Sequence, residues 1–296
     1  MRPQSLVERT LGRAVWLLAG LLVAFASPAI AQDPATLRNK NAAMQDKFAS
    51  NQFGRPLVLE SVQTAGDLRG DVYTVVDHPF ATVKQALQTN AHWCDILILH
   101  LNVKRCLTGG DGKSVNLSVG RKFDQALEDA YELEFDWRLA ASTDDYLSVK
   151  LSADEGPLST RNYRIQVEAI PLDAKRSLIH MSYAYAYGFA ARMAMQTYLS
   201  TIGRHKVGFS ITGRNAEGKP TYIGGVLGLL ERNTMRYYLA IDAYLVAYSL
   251  PPNEQFERRI HEWYASTQRY AAQLHEMEQN QYLEMKRKEM KRQQSS

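Results

Sequence analysis

Hydrophobic and polar residues alternate through the middle of the chain. In YELEFDWRL, Tyr131, Leu133, Phe135, Trp137 and Leu139 share one face, and Glu132, Glu134, Asp136 and Arg138 share the other. DYLSVKLS puts Leu147, Val149 and Leu151 on one side, and NYRIQVEAI does the same with Tyr163, Ile165 and Val167. In LIHMSYAYAYGF, Ile179, Met181, Tyr183, Tyr185, Tyr187 and Phe189 oppose Ser182, Ala184, Ala186 and Gly188. A period of two with one polar side marks antiparallel strands, covered on one face and wet on the other. No helix-length pattern interrupts them, so a meander is predicted rather than a set of parallel crossovers.

The flanking patterns differ. Residues 72–76 read as a short strand ended by Asp77-His78-Pro79, with Pro79 suited to a first helical turn. Val83, Ala86, Leu87 and Asn90, then Trp93, Ile96, Leu97, His100 and Leu101, recur at helical spacing. The glycine-dense 108–112 predicts a hairpin with strands at 103–108 and 114–121. AARMAMQTYL is short and helix-prone, and KVGFSI suits a further strand. The strongest helical pattern spans 226–249, with Val226, Leu230, Tyr237, Ile241, Leu245 and Tyr248 on one stripe, and Pro251-Pro252 stops it. A last helix is predicted over 256–291, apolar at first and ending in a basic tip, Lys286-Arg287-Lys288 and Lys291-Arg292.

The N-terminus changes the setting of all this. Arg2, Arg9 and Arg13 precede an apolar run over 14–26, then Ser27-Pro28 and Ala29-Ile30-Ala31. This is the plan of a secretory signal peptide, with cleavage expected after Ala31 and a periplasmic location expected in a bacterium. The run is short of the ~20 residues that cross a bilayer. The remaining chain is expected to hold a polar linker or loose helix over 32–55, a main domain over 56–252 and a helical extension over 253–296. With 45% hydrophobic residues a sizeable core is available. The formal charge of +4 falls toward neutrality without the leading arginines, and no basic stripe interleaves with aromatics, which argues against nucleic-acid binding.

In order, the chain offers a strand, two helices, a meander of about six strands and a long helix with an apolar stripe. This α+β plan resembles the helix-grip fold of the START-like lipid-transfer superfamily. DVYTVVDHPFATVKQALQTNAHWCDIL carries the resemblance best, which covers roughly residues 70–250. The late AARMAMQTYL segment and the tail beyond residue 253 depart from the plan. The resemblance implies a cavity for a lipid or other hydrophobic small molecule between sheet and long helix. Trp137, Tyr183, Tyr185 and Tyr187 from the sheet would line it, with Arg232, Arg236, Tyr237 and Ile241 from the helix. Each has a plainer reading. The tyrosines could fill a core or coat the outer surface, and the strand's inward face is left open. Arg232 and Arg236 could belong to a solvated helix face near Glu132 or Glu134, and the basic tip could be a solvated helix end instead of a membrane contact.

Catalytic chemistry finds little support. GFSIT lacks the second glycine of a nucleophile elbow, and HExxH, paired Cys-x-x-Cys and EF-hand patterns are missing. The histidines are scattered, with no ligand spacing for a metal and no dinucleotide loop for a cofactor. A binding or transfer role without catalysis is therefore expected. The alternative is a structural protein of the cell envelope that docks through its C-terminal helix. An enzyme of the same fold would need a buried titratable group in the cavity, for which Glu231, Arg232 and His180 are the candidates.

The two cysteines close HWCDILILHLNVKRC. An unbroken strand would hold Cys94 and Cys106 ~30 Å apart. Helical periodicity through Leu101, with the chain reversing at Asn102, instead lets Cys106 return beside Cys94. An oxidising compartment favours a bond there. A disulfide is predicted, contributing about 3 kcal/mol for so short a loop.

Overall fold

The computed structural model describes residues 33–64, 66–188, 193, 195–197, 201 and 203–294. The alternating segments form one antiparallel sheet. Its strands are β1 (Leu57–Gln63), β2 (Asp67–Val76), β3 (Val103–Thr108), β4 (Ser114–Val119), β5 (Tyr131–Ser142), β6 (Leu147–Glu155), β7 (Thr160–Pro171) and β8 (Ser177–Tyr187). They lie in the order β1-β2-β8-β7-β6-β5-β4-β3. Strands β3 to β8 are the predicted meander. The last of them closes back onto β2 in a register that pairs Val72 with Met181 and Gly70 with Tyr183. Strand β1 adds an edge that the polarity pattern does not reveal, since LVLESVQ does not alternate cleanly.

The short helices α3 (Phe80–Leu87) and α4 (Asn90–Leu97) bridge β2 to β3, with Pro79 just outside the first helix as its cap. The long helix α5 (Gly225–Ala247) crosses the concave face. Its contact with the sheet is closest at Gly70, where a Cβ would stand 2.3 Å from Thr234 Oγ1. Glycine is needed there to let helix and strand approach. Further along, Arg55 pairs with Asp242 at 2.8 Å.

This topology is the helix-grip fold: a first strand, two short helices, a six-stranded meander and a long helix gripped by the sheet. The expected AARMAMQTYL helix falls mostly outside the described residues. KVGFSI is not a strand. Gly208 and Ser210 bond the backbone of Ile223, and strand structure begins at β9 (Ile211–Arg214), which forms an exposed hairpin with β10 (Pro220–Tyr222).

Two other segments are more structured, or more broken, than expected. The region expected as a polar linker or loose helix contains α1 (Pro34–Ala43), capped by Asp33 whose carboxylate accepts the Thr36 N–H, and α2 (Gln45–Ala49). Leu37, Met44 and Phe48 bury themselves on Val58, Tyr73, Ile170 and Leu178 of the convex face, so that face is partly dry. The single helix expected over 256–291 is three: α6 (Pro252–Gln268), α7 (Ala271–Leu274) and α8 (Gln279–Gln294). These pack on the side of α5 away from the sheet, which is why nearly the whole circumference of α5 is buried rather than one stripe.

Cys94, in α4, and Cys106, in β3, face each other with Cα atoms 5.1 Å apart and sulfurs at bonding distance, 1.99 Å. Helix α4 ends at Leu97, short of the expected limit at Leu101, and the chain turns over 98–102. Replacing both cysteines by serine is expected to lower stability by about 3 kcal/mol. Urea unfolding with and without reductant checks this. Coincident curves for oxidised and reduced wild-type protein would refute it.

Candidate functional site

The candidate site lies on the concave face. Strand register sets Trp137, Leu151, Ile165 and Tyr183 in one cross-strand row that ends at Gly70 beneath α5. One row nearer the end of β8, Tyr163 stacks on Tyr185 at 5.3 Å. Tyr183 meets Tyr185 at 5.5 Å and Tyr237 of α5 at 5.0 Å. The sheet therefore presents its tyrosine face inward, and its alanine face outward, which settles the orientation that periodicity leaves open. Rings in contact occupy the region where a cavity is expected. Ile241 is 1% exposed and belongs to the packed core.

The polar tips of this belt set it apart from ordinary packing. Tyr163 donates to Thr160 Oγ1, and Tyr187 accepts from Gln63 Nε2. Among the described residues, however, the hydroxyls of Tyr183, Tyr185 and Tyr237 have no hydrogen-bond partner, and Trp137 Nε1 is buried without one. Burial pushes the phenols of Tyr183, Tyr185 and Tyr237 up, so they remain protonated donors. A buried donor without an acceptor costs ~1–3 kcal/mol. Of the belt's polar tips only Trp137 Nε1 is such a group; with the neighbouring tyrosine hydroxyls it presents a surface able to hold an apolar molecule that carries acceptor atoms.

The charged residues of α5 have another role. Arg232 and Arg236 are each 1% exposed and point away from the sheet, into the C-terminal helical layer. They are neither solvated nor near Glu132, which instead accepts from Ser118 Oγ at 2.8 Å. Both arginines bind Glu276, Arg236 at 2.7 Å, and Lys122 and Lys206 join them at 2.8 and 2.9 Å. Burial would raise the Glu276 pKa, but the charges of Arg236 and Lys122 and the lysine hydrogen bonds outweigh it and lower it to about 2. Glu231 is a structural anchor. It accepts from Ser61 Oγ, Ser210 Oγ and the N–H groups of Phe209 and Ser210, fixing the base of the β9–β10 hairpin.

His180 is the most constrained ionisable group, and it lies on the convex face. Its Nδ1 stands 2.9 Å from Glu168 and its Nε2 2.8 Å from Asp71. Tyr73 stacks on the ring at 4.3 Å, and the Tyr146 hydroxyl donates to Glu168. Burial would lower the His180 pKa, but the hydrogen bonds and negative charges of both carboxylates outweigh it and raise it. The sheet separates this cluster from the aromatic belt. Sequence reading names His180 but misses its partners, because Asp71 and Glu168 adjoin it only through the β2–β8–β7 register.

The basic tip is also engaged within the chain. Arg287 pairs with Glu257, and Lys288 and Arg292 pair with Asp124. Lys286 is fully buried, 2.7 Å from Glu289.

No family model and no curated protein matches this sequence. Solved structures do align. A START superfamily protein from Mycobacterium smegmatis overlays with 11% identity and a TM-score of 0.30, covering 46% of this chain and 92% of that one. Norcoclaurine synthase from Thalictrum flavum, in complex with dopamine and hydroxybenzaldehyde, overlays with 13% identity and a TM-score of 0.32, over 50% of this chain and 81% of that one. An uncharacterised protein from Bacillus thuringiensis gives 11% identity and 0.31, over 46% and 93%. The helix-grip fold is established by the chain's own element and strand order. Overlays this weak carry no argument about activity.

Proposed function

We propose that this chain is an exported, non-catalytic binding protein for an apolar small molecule, held against the belt of Trp137, Tyr163, Tyr183, Tyr185 and Tyr237. The observation that carries this reading is the buried, unpartnered Trp137 Nε1 beside the contacting rings of Tyr163, Tyr183, Tyr185 and Tyr237, on the gripping face of the sheet. Rotation of these rings makes room, and burial of the ligand's apolar area at ~25 cal/mol per Å² drives binding. Acceptor atoms on the ligand set its orientation. Binding rather than chemistry is the reading because the His180 cluster faces the other side of the sheet. Export rests on the leading arginines, the apolar run and Ala29-Ile30-Ala31, and on a cysteine pair placed for oxidation.

Two measurements test this. Native mass spectrometry of the protein from its own source is expected to show the loss of residues 1–31 and a co-purifying small mass. Retention of those residues would refute export, and repeated ligand-free spectra would refute occupancy. In titrations with the dye anilinonaphthalene sulfonate, Trp137→Phe removes one donor and is expected to weaken binding about tenfold, the equivalent of one hydrogen bond. An unchanged affinity would place the dye, and the site, elsewhere.

A further inference from the structure

Four cations converge on one carboxylate in this protein. Lys122 comes from the β4–β5 connection, Lys206 from the segment before β9, and Arg232 and Arg236 from α5. Glu276 reaches them from the break between α7 and α8. Its Oε1 takes Lys122 at 2.8 Å, Arg236 at 2.7 Å and Arg232, and its Oε2 takes Lys206 at 2.9 Å. Lys122, Lys206 and Arg232 each have Glu276 as their only carboxylate among the ion pairs of the described residues, and Arg236 shares it.

One negative charge therefore faces four positive ones, and the excess is not diluted by solvent. The arginines are 1% exposed and Glu276 8%, while Lys122 at 20% and Lys206 at 29% stand nearer the surface. A set of two forked guanidiniums and two ammoniums matches the charge and the several acceptor oxygens of a phosphate group better than it matches a single glutamate carboxylate. His100 stacks on Tyr237, next in sequence to Arg236; burial and the nearby cations keep the ring neutral, and its Nε2 is buried without a partner. Glu276 is also easier to displace than a helical residue, because residues 275–278 belong to no helix.

We propose that Glu276 is an internal plug in an oxyanion-binding site formed by Lys122, Lys206, Arg232 and Arg236, and that the anionic group of an amphiphilic ligand takes its place. This rests on the proposed binding role and narrows the ligand to a molecule with an apolar body and a terminal phosphate. Tyr237, adjoining Arg236 on the same helix, links the charged site to the aromatic belt.

Thermal melts with added phosphate test the plug directly. Glu276→Ala is expected to melt below wild type, and inorganic phosphate to restore it well beyond chloride of matched ionic strength. Adding Lys122→Ala and Lys206→Ala should abolish that difference. Glu276→Asp keeps the charge, and so the fold, but withdraws the carboxylate. It is expected to gain a phosphate-specific shift larger than that of wild type, which serves if Glu276→Ala does not fold. Equal responses to phosphate and chloride in both variants, or a phosphate response that survives loss of the lysines, would overturn the site. Dodecyl phosphate is expected to act at concentrations at least about tenfold below inorganic phosphate, a gain of roughly 1.4 kcal/mol from the apolar body. Equal concentrations would overturn the amphiphile and leave a free oxyanion. Inorganic phosphate has no apolar body, so its failure leaves the Trp137 titration intact. The converse failure would remove the aromatic site alone.

Discussion

Glu289→Leu is expected to destabilise the protein by about 3–5 kcal/mol, because it leaves two buried ammonium groups without a counter-charge. Lys104 and Lys286 flank Glu289 at 2.9 and 2.7 Å, and all three side chains are 0% exposed. The lysines are otherwise well served by backbone. Lys104 donates to Leu101 O at 2.9 Å, and Lys286 donates to His100 O and Val103 O at 2.7 and 3.1 Å. Those carbonyls belong to the turn that brings Cys106 back to Cys94. Tyr282 donates to Leu99 O at 3.0 Å, and Gln293 accepts the Cys106 N–H at 3.0 Å. Helix α8 thus docks into the corner that the cysteines close, and covers the β3 edge. Burial and the neighbouring Lys104 charge, only partly offset by Glu289, lower the Lys286 pKa to about 8.

Urea unfolding measures the loss, and hydrogen exchange locates it. Protection should fall across 279–294 and 98–106 and persist in β7 and β8. Removing all three charges together, with Lys104→Met, Lys286→Leu and Glu289→Leu, should recover most of the stability, since the penalty is for unpaired charge rather than for lost attraction. Glu289→Leu that unfolds like wild type would refute the network. A triple variant as unstable as the single one would instead make the interaction itself the source of stability.

These networks mark where sequence reading stops. The meander is legible because in Tyr131–Leu139, Leu147–Leu151 and Tyr183–Tyr187 each residue's own polarity states its face. The corner at Asn102 is legible because helical spacing fails there. Residues 34–49 read as a linker or loose helix because Leu37, Met44 and Phe48 are the few apolar contacts in a polar stretch. Lys286 and Glu289 read as surface for a similar reason: a charge is buried only when distant partners meet it, and Lys104 lies 182 positions from Lys286. Arg232 and Arg236 fail identically, since Glu276 reaches them only after the expected last helix breaks into three. Of the candidate site, the inward tyrosines and Trp137 were visible as a periodic face. Their missing partners were not, because satisfaction of a donor is a property of the packed structure.

His180→Leu is the second large effect, again about 3–5 kcal/mol, and its pH dependence identifies the cause. The substitution leaves Glu168 and Asp71 on opposite sides of an apolar side chain, with Arg69 still paired to Asp71 at 2.8 Å. In wild type the His180 pKa is raised above 6.5, so its contribution is complete below 6.5 and is lost as pH rises through the higher folded value. The Asp71 pKa is lowered from 3.8: burial opposes this, but the hydrogen bond and charge of His180, then those of Arg69, prevail. Its contribution is complete above 3.8 and is lost as pH falls through the lower folded value. The stability difference between wild type and His180→Leu should therefore be greatest between pH 3.8 and 6.5 and shrink on either side. A difference independent of pH would assign the loss to packing against Tyr73 alone. Because the cluster lies across the sheet from Trp137 and Tyr183, dye affinity should be unchanged wherever the variant is folded. Hydrogen exchange should rise in 34–49, where Lys40 lies 5.4 Å over the Tyr73 ring that stacks on His180. Loss of dye binding in the folded variant would join the two faces of the sheet in one function, and would reopen His180 as a participant in chemistry.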